Sequence, residues 1–363
     1  MSQQASPASA AGPASRAGSA GAGNRALPRA SEQPLCRAYD VALLDLDGVV
    51  YVGSAPIPGA SQALRKAGGE GMRLAYVTNN AFRTPAAVAQ ILTGFGIAAA
   101  PEDVVTSAQA AARLLASTLP KGSAVLVVGG TGLRLAVRER GLRPVSTALD
   151  RPAAVVQGYA PGISYPLLAQ GGLAVAAGAL FVGTNADRTL PGPHGRQPGN
   201  GSLLQVISTA TGKEPLIAGK PEVPLHEESV ARTGARHPLV VGDRLDTDIE
   251  AAQRVDADSL LVLTGVTGPA EALLAPPHQR PTYLAEDLSG LSEPQPAVSS
   301  GPDGFGCGGW TARWAGDGGP LELSGRGTRI DGLRALCAAA WSRDGATAGN
   351  TEQALRTLDG SAS

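Results

Sequence analysis

The stretch Val41-Ala-Leu-Leu-Asp-Leu-Asp-Gly-Val-Val50 decides how the rest of this sequence is interpreted. Its first four residues are apolar without polar alternation, which predicts a strand buried on both faces. Asp45 and Asp47 follow where that strand should end, about 6.6 Å apart by strand rise, and Gly48 permits a sharp turn that brings them closer. Burying two like charges is unfavourable unless a cation or a reaction requires them. Taken alone, the stretch is about equally compatible with a catalytic site and with an aspartate-rich turn.

Composition argues against several classes of protein. The 363 residues carry 30 lysine and arginine side chains against 31 aspartate and glutamate, so neither nucleic acid nor an anionic membrane is an expected partner. Cys36, Cys307 and Cys337 are odd in number and lack a C-x-x-C pattern, which disfavours a disulfide framework and a zinc site. The best apolar run, residues 173–183, is too short to span a bilayer, and the N-terminus lacks the apolar segment of a signal peptide. We therefore expect a soluble protein of the reducing cytoplasm.

Alternating strands and helices with short connections predict an α/β fold with a parallel sheet. Residues 1–34 are rich in Ala, Gly, Ser and Pro without periodicity, and we expect them to be disordered. The rest divides into a core of two segments, a second α/β domain inserted between them, and a small C-terminal appendage: 35–83 with 212–298, then 84–211, then 299–363. In this division Val104-Val105 belongs to the inserted domain and Leu216-Ile-Ala218 to the core. Gly129-Gly-Thr-Gly132 resembles part of a dinucleotide fingerprint but lacks its full spacing, so we interpret it as a tight turn.

Polar residues follow the ends of four predicted core strands. In chain order they are Asp45 and Asp47, Thr78 and Asn79, Lys220, and Asp243 with Asp248. In an open parallel sheet, ligands bind beyond the carboxyl ends of the strands, so these groups should converge. Mg²⁺ is typically held by one or two carboxylates together with substrate oxygens, while threonine and lysine complete the hydrogen bonds to an anion. The set therefore predicts a phosphate group held together with a divalent cation.

The same segments resemble the four ordered motifs of the haloacid-dehalogenase-like (HAD) phosphatases. They read Asp45-Leu-Asp-Gly-Val, Val77-Thr-Asn-Asn, Gly219-Lys-Pro and Gly242-Asp-Arg-Leu-Asp-Thr-Asp-Ile. The inserted domain is similar to the class IIA cap of that family, whose sequences match Thr184-Asn-Ala-Asp-Arg-Thr-Leu-Pro191 and Pro198-Gly-Asn-Gly-Ser202. The resemblance covers roughly residues 38–292 and is strongest to actinobacterial glycerol-3-phosphate phosphatases, which also carry an appendage rich in tryptophan and glycine. It implies a Rossmann-like parallel-sheet core, an α/β cap and a Mg²⁺-dependent phosphatase.

The resemblance also implies which residues carry the chemistry. Asp45 would be the nucleophile that forms an aspartyl-phosphate, and Asp47 would be the general acid and afterwards the base. Mg²⁺ would be held by the carboxylates of Asp45 and Asp243 and by the backbone carbonyl of Asp47. The charge of the metal would offset the repulsion between Asp45 and an anionic substrate.

Other residues would bind phosphate or support the site. Three would bind the transferring phosphoryl group: Thr78, Asn79 and Lys220. Asp248 would support the site structurally, and Asn80 would either hold its loop or contact substrate. On the cap, Asp187 and Arg188 are candidates for substrate contact, although the polarity of a loop explains them equally well.

Several alternatives stay open on the sequence. A haloacid dehalogenase would use the aspartate nucleophile without needing Asp47 or a metal, and a phosphomutase would keep every motif. Another class IIA phosphatase would act on phosphoglycolate, pyridoxal 5′-phosphate, or a sugar or nucleotide monophosphate. The non-enzyme alternative is a phospho-accepting receiver-like module, which would be a single domain with adjacent acids. The expected partner is a small phosphorylated metabolite, and we also expect homodimerisation through the cap.

Overall fold

The computed structural model describes residues 27–192, 195–316 and 318–360. Its α-helices are, in chain order, α1 (Leu35–Ala38), α2 (Ala60–Gly69), α3 (Pro85–Gly94), α4 (Ser107–Thr118), α5 (Thr131–Glu139), α6 (Tyr165–Ala176), α7 (Asn200–Thr211), α8 (Val223–Thr233), α9 (Glu250–Arg254), α10 (Pro269–Leu273), α11 (Arg329–Trp341) and α12 (Ala348–Gly360). None of the helices in these ranges combines the length and apolar character that a bilayer crossing needs.

The strands are, in the same order, β1 (Val41–Leu44), β2 (Tyr51–Val52), β3 (Ala55–Pro56), β4 (Arg73–Thr78), β5 (Val104–Thr106), β6 (Ala124–Val128), β7 (Arg143–Val145), β8 (Ala154–Gln157), β9 (Leu180–Gly183), β10 (Thr189–Gly192), β11 (Gly195–Pro198), β12 (Leu216–Ile217), β13 (Pro238–Gly242), β14 (Asp258–Val262), β15 (Tyr283–Ala285), β16 (Ser299–Gly301), β17 (Gly304–Cys307), β18 (Trp310–Trp314) and β19 (Leu321–Gly325). A π-helical turn, Leu245–Ile249, precedes α9.

The core is a six-stranded parallel sheet in the order β15-β14-β13-β1-β4-β5. Strand β1 lies inside this sheet, between β13 and β4, and all four of its residues are buried, as the apolar run predicts. Ala42 and Leu44 belong to one apolar cluster, whereas Val41 and Leu43 belong to another, so both faces of the sheet are covered. The expected Rossmann-like α/β core is confirmed.

The inserted domain, which we call the cap, contains a second parallel sheet in the order β12-β9-β8-β6-β7. Two strands change sheet relative to the sequence prediction. Val104–Thr106 pairs with β4 in the core sheet, and Leu216–Ile217 pairs with β9 in the cap sheet. Strands of two or three residues carry too little periodicity to show which sheet they join. Their sheet is set by the strand that they pair with, which lies elsewhere in the chain. By strand pairing, the cap sheet extends over residues 124–217.

The glycine run Gly129–Gly132 brings the cap close to the core. The backbone N–H of Gly132 donates to the carbonyl of Phe82 at 3.1 Å. A Cβ atom on Gly132 would lie 2.6 Å from the carbonyl oxygen of Arg83, and one on Gly130 would lie 2.5 Å from the ring of Phe82. The run is a strand-to-helix turn as expected, but its glycines are required by this contact between domains.

The predicted disorder of residues 1–34 is wrong for its last part. Residues 1–26 lie outside the described residues, but from residue 27 onward the segment follows the core. Arg29 forms an ion pair with Asp258 at 2.8 Å, and Ser31 forms a β-bridge with Gln295. The composition did not indicate these contacts because they depend on partners more than 200 residues away in the chain.

The C-terminal appendage packs into the core. Strands β16 to β19 form an antiparallel sheet beside α11, and most of that helix is buried. Leu333 and Leu336 of α11 share one apolar cluster with Leu273 and Leu284 of the core. The buried guanidinium of Arg334 donates to the carbonyl of Leu284 at 2.6 Å and to the side chain of Gln295. The appendage and the core therefore share an interior.

Candidate active site

A cavity of about 390 Å³ lies between the carboxyl edge of the core sheet and the cap. The core contributes charged and polar side chains to its lining, among them Asp45, Asp47, Thr78, Arg83, Lys220 and Arg244. The cap contributes Tyr159, Asn185, Asp187, Thr189, Leu190 and Asn200. Three of the four predicted segments belong to strands of the core sheet, whose carboxyl ends meet at one edge, and the fourth, with Lys220, follows β12 of the cap sheet.

Lys220 is the cation at the bottom of this cavity. Its buried ammonium donates to Asp45 and to the carbonyl of Val77 at 3.2 Å, and it forms an ion pair with Oδ1 of Asp248 at 2.8 Å. Burial opposes the positive charge, but the attraction of Asp248 and Asp45 outweighs burial and raises the pKa of Lys220. The ammonium therefore stays charged, beside a carboxylate that follows the central strand.

Asp45, Asp243 and Asp248 form a cluster of acids. One carboxylate oxygen from each of the three lies within 4.8 Å of the others. Burial is the main reason that the pKa of Asp45 is raised above its ordinary value, and Lys220 opposes this shift. Burial, followed by the repulsion of Asp248, raises the pKa of Asp243 to about 6. The cluster is therefore costly to keep ionised without a further cation.

One carboxylate oxygen of Asp243 has no partner among the described residues. Oδ2 of Asp243 accepts the backbone N–H of Val266 at 2.7 Å, whereas the unpartnered oxygen is the buried Oδ1. Gly48, at a φ of +88°, lies so close that a Cβ atom there would be 2.3 Å from Oδ2 of Asp243. An unpartnered carboxylate oxygen beside two further carboxylates matches the oxygen donors that Mg²⁺ takes. These residues fit a divalent metal ion.

Asp47 stands apart from this cluster. Its side chain is exposed to the cavity and has no hydrogen-bond or ion-pair partner in the described part of the chain. The surrounding walls still exclude enough water to raise its pKa, against the attraction of Arg83 and Lys220. A carboxyl group with a raised pKa and no partner is suited to exchange protons with a ligand.

The loop after β4 shows how Asn79, a predicted phosphate-binding residue, is bonded. Oδ1 of Asn79 accepts the backbone N–H of Lys220 at 2.9 Å, and its Nδ2 donates to the carbonyl of Lys220 and to Asp187, each at 3.2 Å. These bonds use both amide hydrogens, so the side chain of Asn79 has none left for phosphate. Asn80 accepts the backbone N–H groups of Phe82 and Arg83 at 3.0 Å, which is the geometry of a loop-holding residue.

Thr78 is buried and lines the cavity, with its Oγ1 accepting the backbone N–H of Asn80 at 3.1 Å. On the cap, Asp187 lines the cavity, whereas Arg188 is exposed and is not part of the described lining. The expected substrate contact by Arg188 is therefore not supported by its position. The hydroxyl of Ser202 donates to the backbone carbonyl of Arg188 at 2.6 Å, so Arg188 contributes to the cap structure through its backbone.

Some lining residues escaped the sequence analysis. Arg244 and Asn200 lie inside segments that match family motifs, so the sequence offered a signal for them. Tyr159 follows the ordinary buried strand β8 and had no such signal. Arg244 is held by Asp246 through two bonds of 3.0 and 2.8 Å. Asn200 begins α7, and its buried Oδ1 has no partner among the described residues.

Comparison with known families explains this arrangement. The haloacid dehalogenase-like hydrolase profile matches residues 42–143, and the HAD-hydrolase-like profile matches residues 217–291. A D-glycerol 3-phosphate phosphatase from Mycobacterium tuberculosis is 44% identical over 312 residues, which cover 85% of this chain and 87% of that protein. The chain belongs to the haloacid dehalogenase-like hydrolases. The resemblance to phosphatases of this family is confirmed.

Solved structures of HAD enzymes share the fold. A glycerol phosphate phosphatase from Mycobacterium tuberculosis in complex with magnesium superposes with a TM-score of 0.82 at 41% identity, covering 91% of this chain and 99% of that one. The p-nitrophenyl phosphatase from Archaeoglobus fulgidus superposes with a TM-score of 0.65 at 28% identity, covering 70% and 98%. The second superposition therefore covers nearly the whole of that enzyme but leaves part of this chain unmatched.

The appendage of this HAD hydrolase matches a different family. The profile of the GCN5-related N-acetyltransferase-like domain covers residues 307–359, which include β18, β19, α11 and most of α12. The sequence analysis expected a small appendage and did not identify this domain. Its glycine-rich strands, such as Gly304-Phe-Gly-Cys307, lack the alternation of apolar and polar residues that predicts a strand.

Proposed function

We propose that this HAD hydrolase is a Mg²⁺-dependent phosphatase that hydrolyses glycerol 3-phosphate through an aspartyl-phosphate intermediate on Asp45. The observation that carries the proposal is the acid cluster with its unpartnered Asp243 oxygen, next to the buried ammonium of Lys220. Such a site pairs oxygen ligands for a hard cation with a fixed positive charge for a phosphoryl group. The mycobacterial relatives named for glycerol phosphate, one of them solved with magnesium, support the same reaction.

In the proposed site, Mg²⁺ would be held by the carboxylates of Asp45 and Asp243 and by the backbone carbonyl of Asp47. When bound, the ion supplies positive charge that offsets the repulsion between these acids and the phosphate and polarises a phosphoryl oxygen. Asp248 has a supporting role because its carboxylate is engaged by Lys220 and by the backbone N–H of Arg244. The cluster then contains two metal ligands, Asp45 and Asp243, and one supporting acid, while Lys220 forms ion pairs with both Asp45 and Asp248.

The protein's own residues account for both halves of the proposed reaction. An oxygen of Asp45 attacks phosphorus, the bond from phosphorus to the glycerol oxygen breaks, and Asp47 gives its proton to that oxygen. A water molecule then attacks the phosphorus of the aspartyl-phosphate, Asp47 takes the proton of the water, and Asp45 is released with inorganic phosphate. Lys220 and Thr78 donate hydrogen bonds to the phosphoryl oxygens. The raised pKa of Asp47 supports its role as proton donor in the first half.

The cap wall supports a neutral leaving group. None of its described lining residues carries a positive charge, and Asp187 carries a negative one. The cationic arginines of the lining, Arg83 and Arg244, come from the core loops, so a carboxylate directed at the cap wall would face Asp187, whereas the hydroxyls of glycerol find amide and hydroxyl partners there. We accordingly propose a small polyol phosphate as the substrate class. Homodimerisation through the cap and a cytoplasmic location are retained as further proposals.

The experiment that tests this function measures phosphate release from a panel of substrates with Mg²⁺ and with excess EDTA. We expect glycerol 3-phosphate to have a higher kcat/KM than phosphoglycolate, pyridoxal 5′-phosphate and a sugar monophosphate, and all turnover to require the metal. A higher kcat/KM for phosphoglycolate would overturn the substrate assignment and leave the phosphatase class intact. No release from any substrate, p-nitrophenyl phosphate included, would overturn the phosphatase itself.

A further inference from the structure

We propose that Asn79 and Asp187 are positioning residues, which together hold the cap in register with the lysine of the active site. Asn79 belongs to the core loop after β4, and Asp187 belongs to the cap loop after β9. Nδ2 of Asn79 donates to Oδ2 of Asp187 at 3.2 Å, across the boundary between the two domains. We call this pair the cap latch. In the proposed phosphatase, the latch gives these two residues a role that differs from the phosphate and substrate contacts expected of them.

On the core side, the latch is bonded directly to the backbone of Lys220. The same amide group of Asn79 receives the N–H of Lys220 at 2.9 Å and donates to its carbonyl at 3.2 Å. A Cβ atom on the preceding Gly219 would lie 2.6 Å from Oδ1 of Asn79, so the two loops are in close contact. The main chain of Lys220 is thus fixed on both sides by one side chain. A displacement of that side chain would move the ammonium that contacts Asp45.

On the cap side, the loop that carries Asp187 is itself fixed. The backbone N–H of Asp187 donates to Oδ1 of Asn185. The carbonyl of Asp187 accepts the N–H of Gly201, at the start of α7, at 2.8 Å. A Cβ atom on Gly199 would lie only 2.3 Å from the same carbonyl oxygen. Nδ2 of Asn185 then returns to the core, where it donates to the carbonyl of Asn79 at 2.7 Å. Two bonds of opposite direction therefore join the same pair of loops.

The charge of Asp187 is balanced within this arrangement. Its carboxyl group is partly buried, which raises its pKa, while Arg244 and the amide of Asn79 act in the opposite direction. Arg244 lies in the core loop that also carries Asp243 and Asp248. Asp187 therefore interacts with two core loops, the one after β4 that carries Asn79 and the one after β13 that carries two acids of the cluster. A contact of this kind positions the cap whatever leaving group occupies the cavity.

A swap of the two side chains tests the latch. Asn79→Asp places two carboxylates opposite each other, and we expect kcat to fall by about tenfold or more on both glycerol 3-phosphate and p-nitrophenyl phosphate. Asp187→Asn alone leaves an amide that can still accept the bond, so its effect should be several-fold smaller. In the double variant the new amide donates to the new carboxylate, but the bond from residue 79 to the carbonyl of Lys220 stays lost. We therefore expect kcat to recover at least about fivefold relative to Asn79→Asp without reaching the wild-type value.

Two further measurements keep the test decisive. Asp150→Asn, which changes an exposed aspartate elsewhere on the cap, should not rescue Asn79→Asp. If Asn79→Asp does not fold, a double-mutant cycle is measured with Asn79→Ala and Asp187→Ala. The loss of kcat in the double variant should then be smaller than the product of the two single losses. Multiplicative effects in the cycle, or equal rescue by Asp150→Asn, would overturn the latch. A wild-type enzyme inactive on both substrates would overturn the proposed function instead, and the cycle would then be measured in melting temperature.

Discussion

The ammonium of Lys220 lies 2.8 Å from Oδ1 of Asp248 and also donates to Asp45. One buried cation thereby joins the acid that follows the central strand to the acid in the loop after β13. Because Asn79 holds the backbone of the same lysine, all four polar segments meet at this residue. A buried cation of this kind needs its anionic partners, since removing one leaves a charge without compensation.

The first prediction follows from that pair. Asp248→Asn keeps the shape of the side chain but removes the charge that holds the ammonium of Lys220, so kcat/KM should fall by about tenfold to a hundredfold. Steady-state phosphate release measures the change. Asp256→Asn, at an exposed aspartate after α9, is the matched control and should stay close to wild type. Equal activities of the two variants would show that Asp248 does not position the lysine.

The second prediction separates the roles of Asp45 and Asp47. Asp45→Asn removes the nucleophile, so turnover of every substrate should fall to background. Asp47→Asn removes only the proton donor, which an alkoxide leaving group needs far more than nitrophenolate does. We therefore expect Asp47→Asn to lose more activity on glycerol 3-phosphate than on p-nitrophenyl phosphate. Equal losses, in assays limited by phosphoenzyme formation, would exclude Asp47 as the general acid.

The convergence of Asp45 and Asp243 was predictable from the sequence for a physical reason, because both follow strands of the core sheet, whereas Lys220 reaches the same place from β12, a strand of the cap sheet. Each of the two aspartates follows a short apolar strand, and parallel strands place their carboxyl ends at one edge of the sheet. Local sequence alone was sufficient to predict this much, because a buried strand is recognised by its own residues. The same reasoning placed Thr78 at the cavity.

The partner of Asn79 was not predictable in that way. Asp187 lies 108 residues further along the chain, and the bond between them depends on how the cap packs on the core. The sheet membership of Val104–Thr106 and Leu216–Ile217 depends on the same packing, since neither strand carries its own signal. Contacts between domains are therefore where the sequence reasoning fails.

The third prediction concerns the metal and pH. In the metal-free protein the pKa of Asp243 is raised from 3.8 to about 6, so its contribution to stability is present at low pH and is lost as pH rises through about 6. A bound cation requires the ionised form and reverses this loss. Mg²⁺ should therefore raise the melting temperature more at pH 7.5 than at pH 5. Asp243→Asn should abolish most of the increase, and an unchanged increase in that variant would remove Asp243 from the metal ligands.

The last prediction concerns the joint between the appendage and the core. The guanidinium of Arg334 donates to Asp331 at 2.6 Å, to the carbonyl of Leu284 at 2.6 Å and to Gln295 at 2.8 Å. Arg334→Met keeps the apolar stem but leaves these buried acceptors without a donor, which should lower the free energy of unfolding by about 3 kcal/mol.

Urea unfolding of the full-length protein measures this effect. Arg356→Met is the control, because that arginine is exposed and its partner among the described residues is Glu352, one helical turn away. The free energy of unfolding of this variant should change by less than about 0.5 kcal/mol. Similar midpoints for the two variants would mean that Arg334 does not fasten the appendage. A lower midpoint for Arg334→Met in a single transition would mean that the appendage unfolds together with the core, as a shared apolar interior requires.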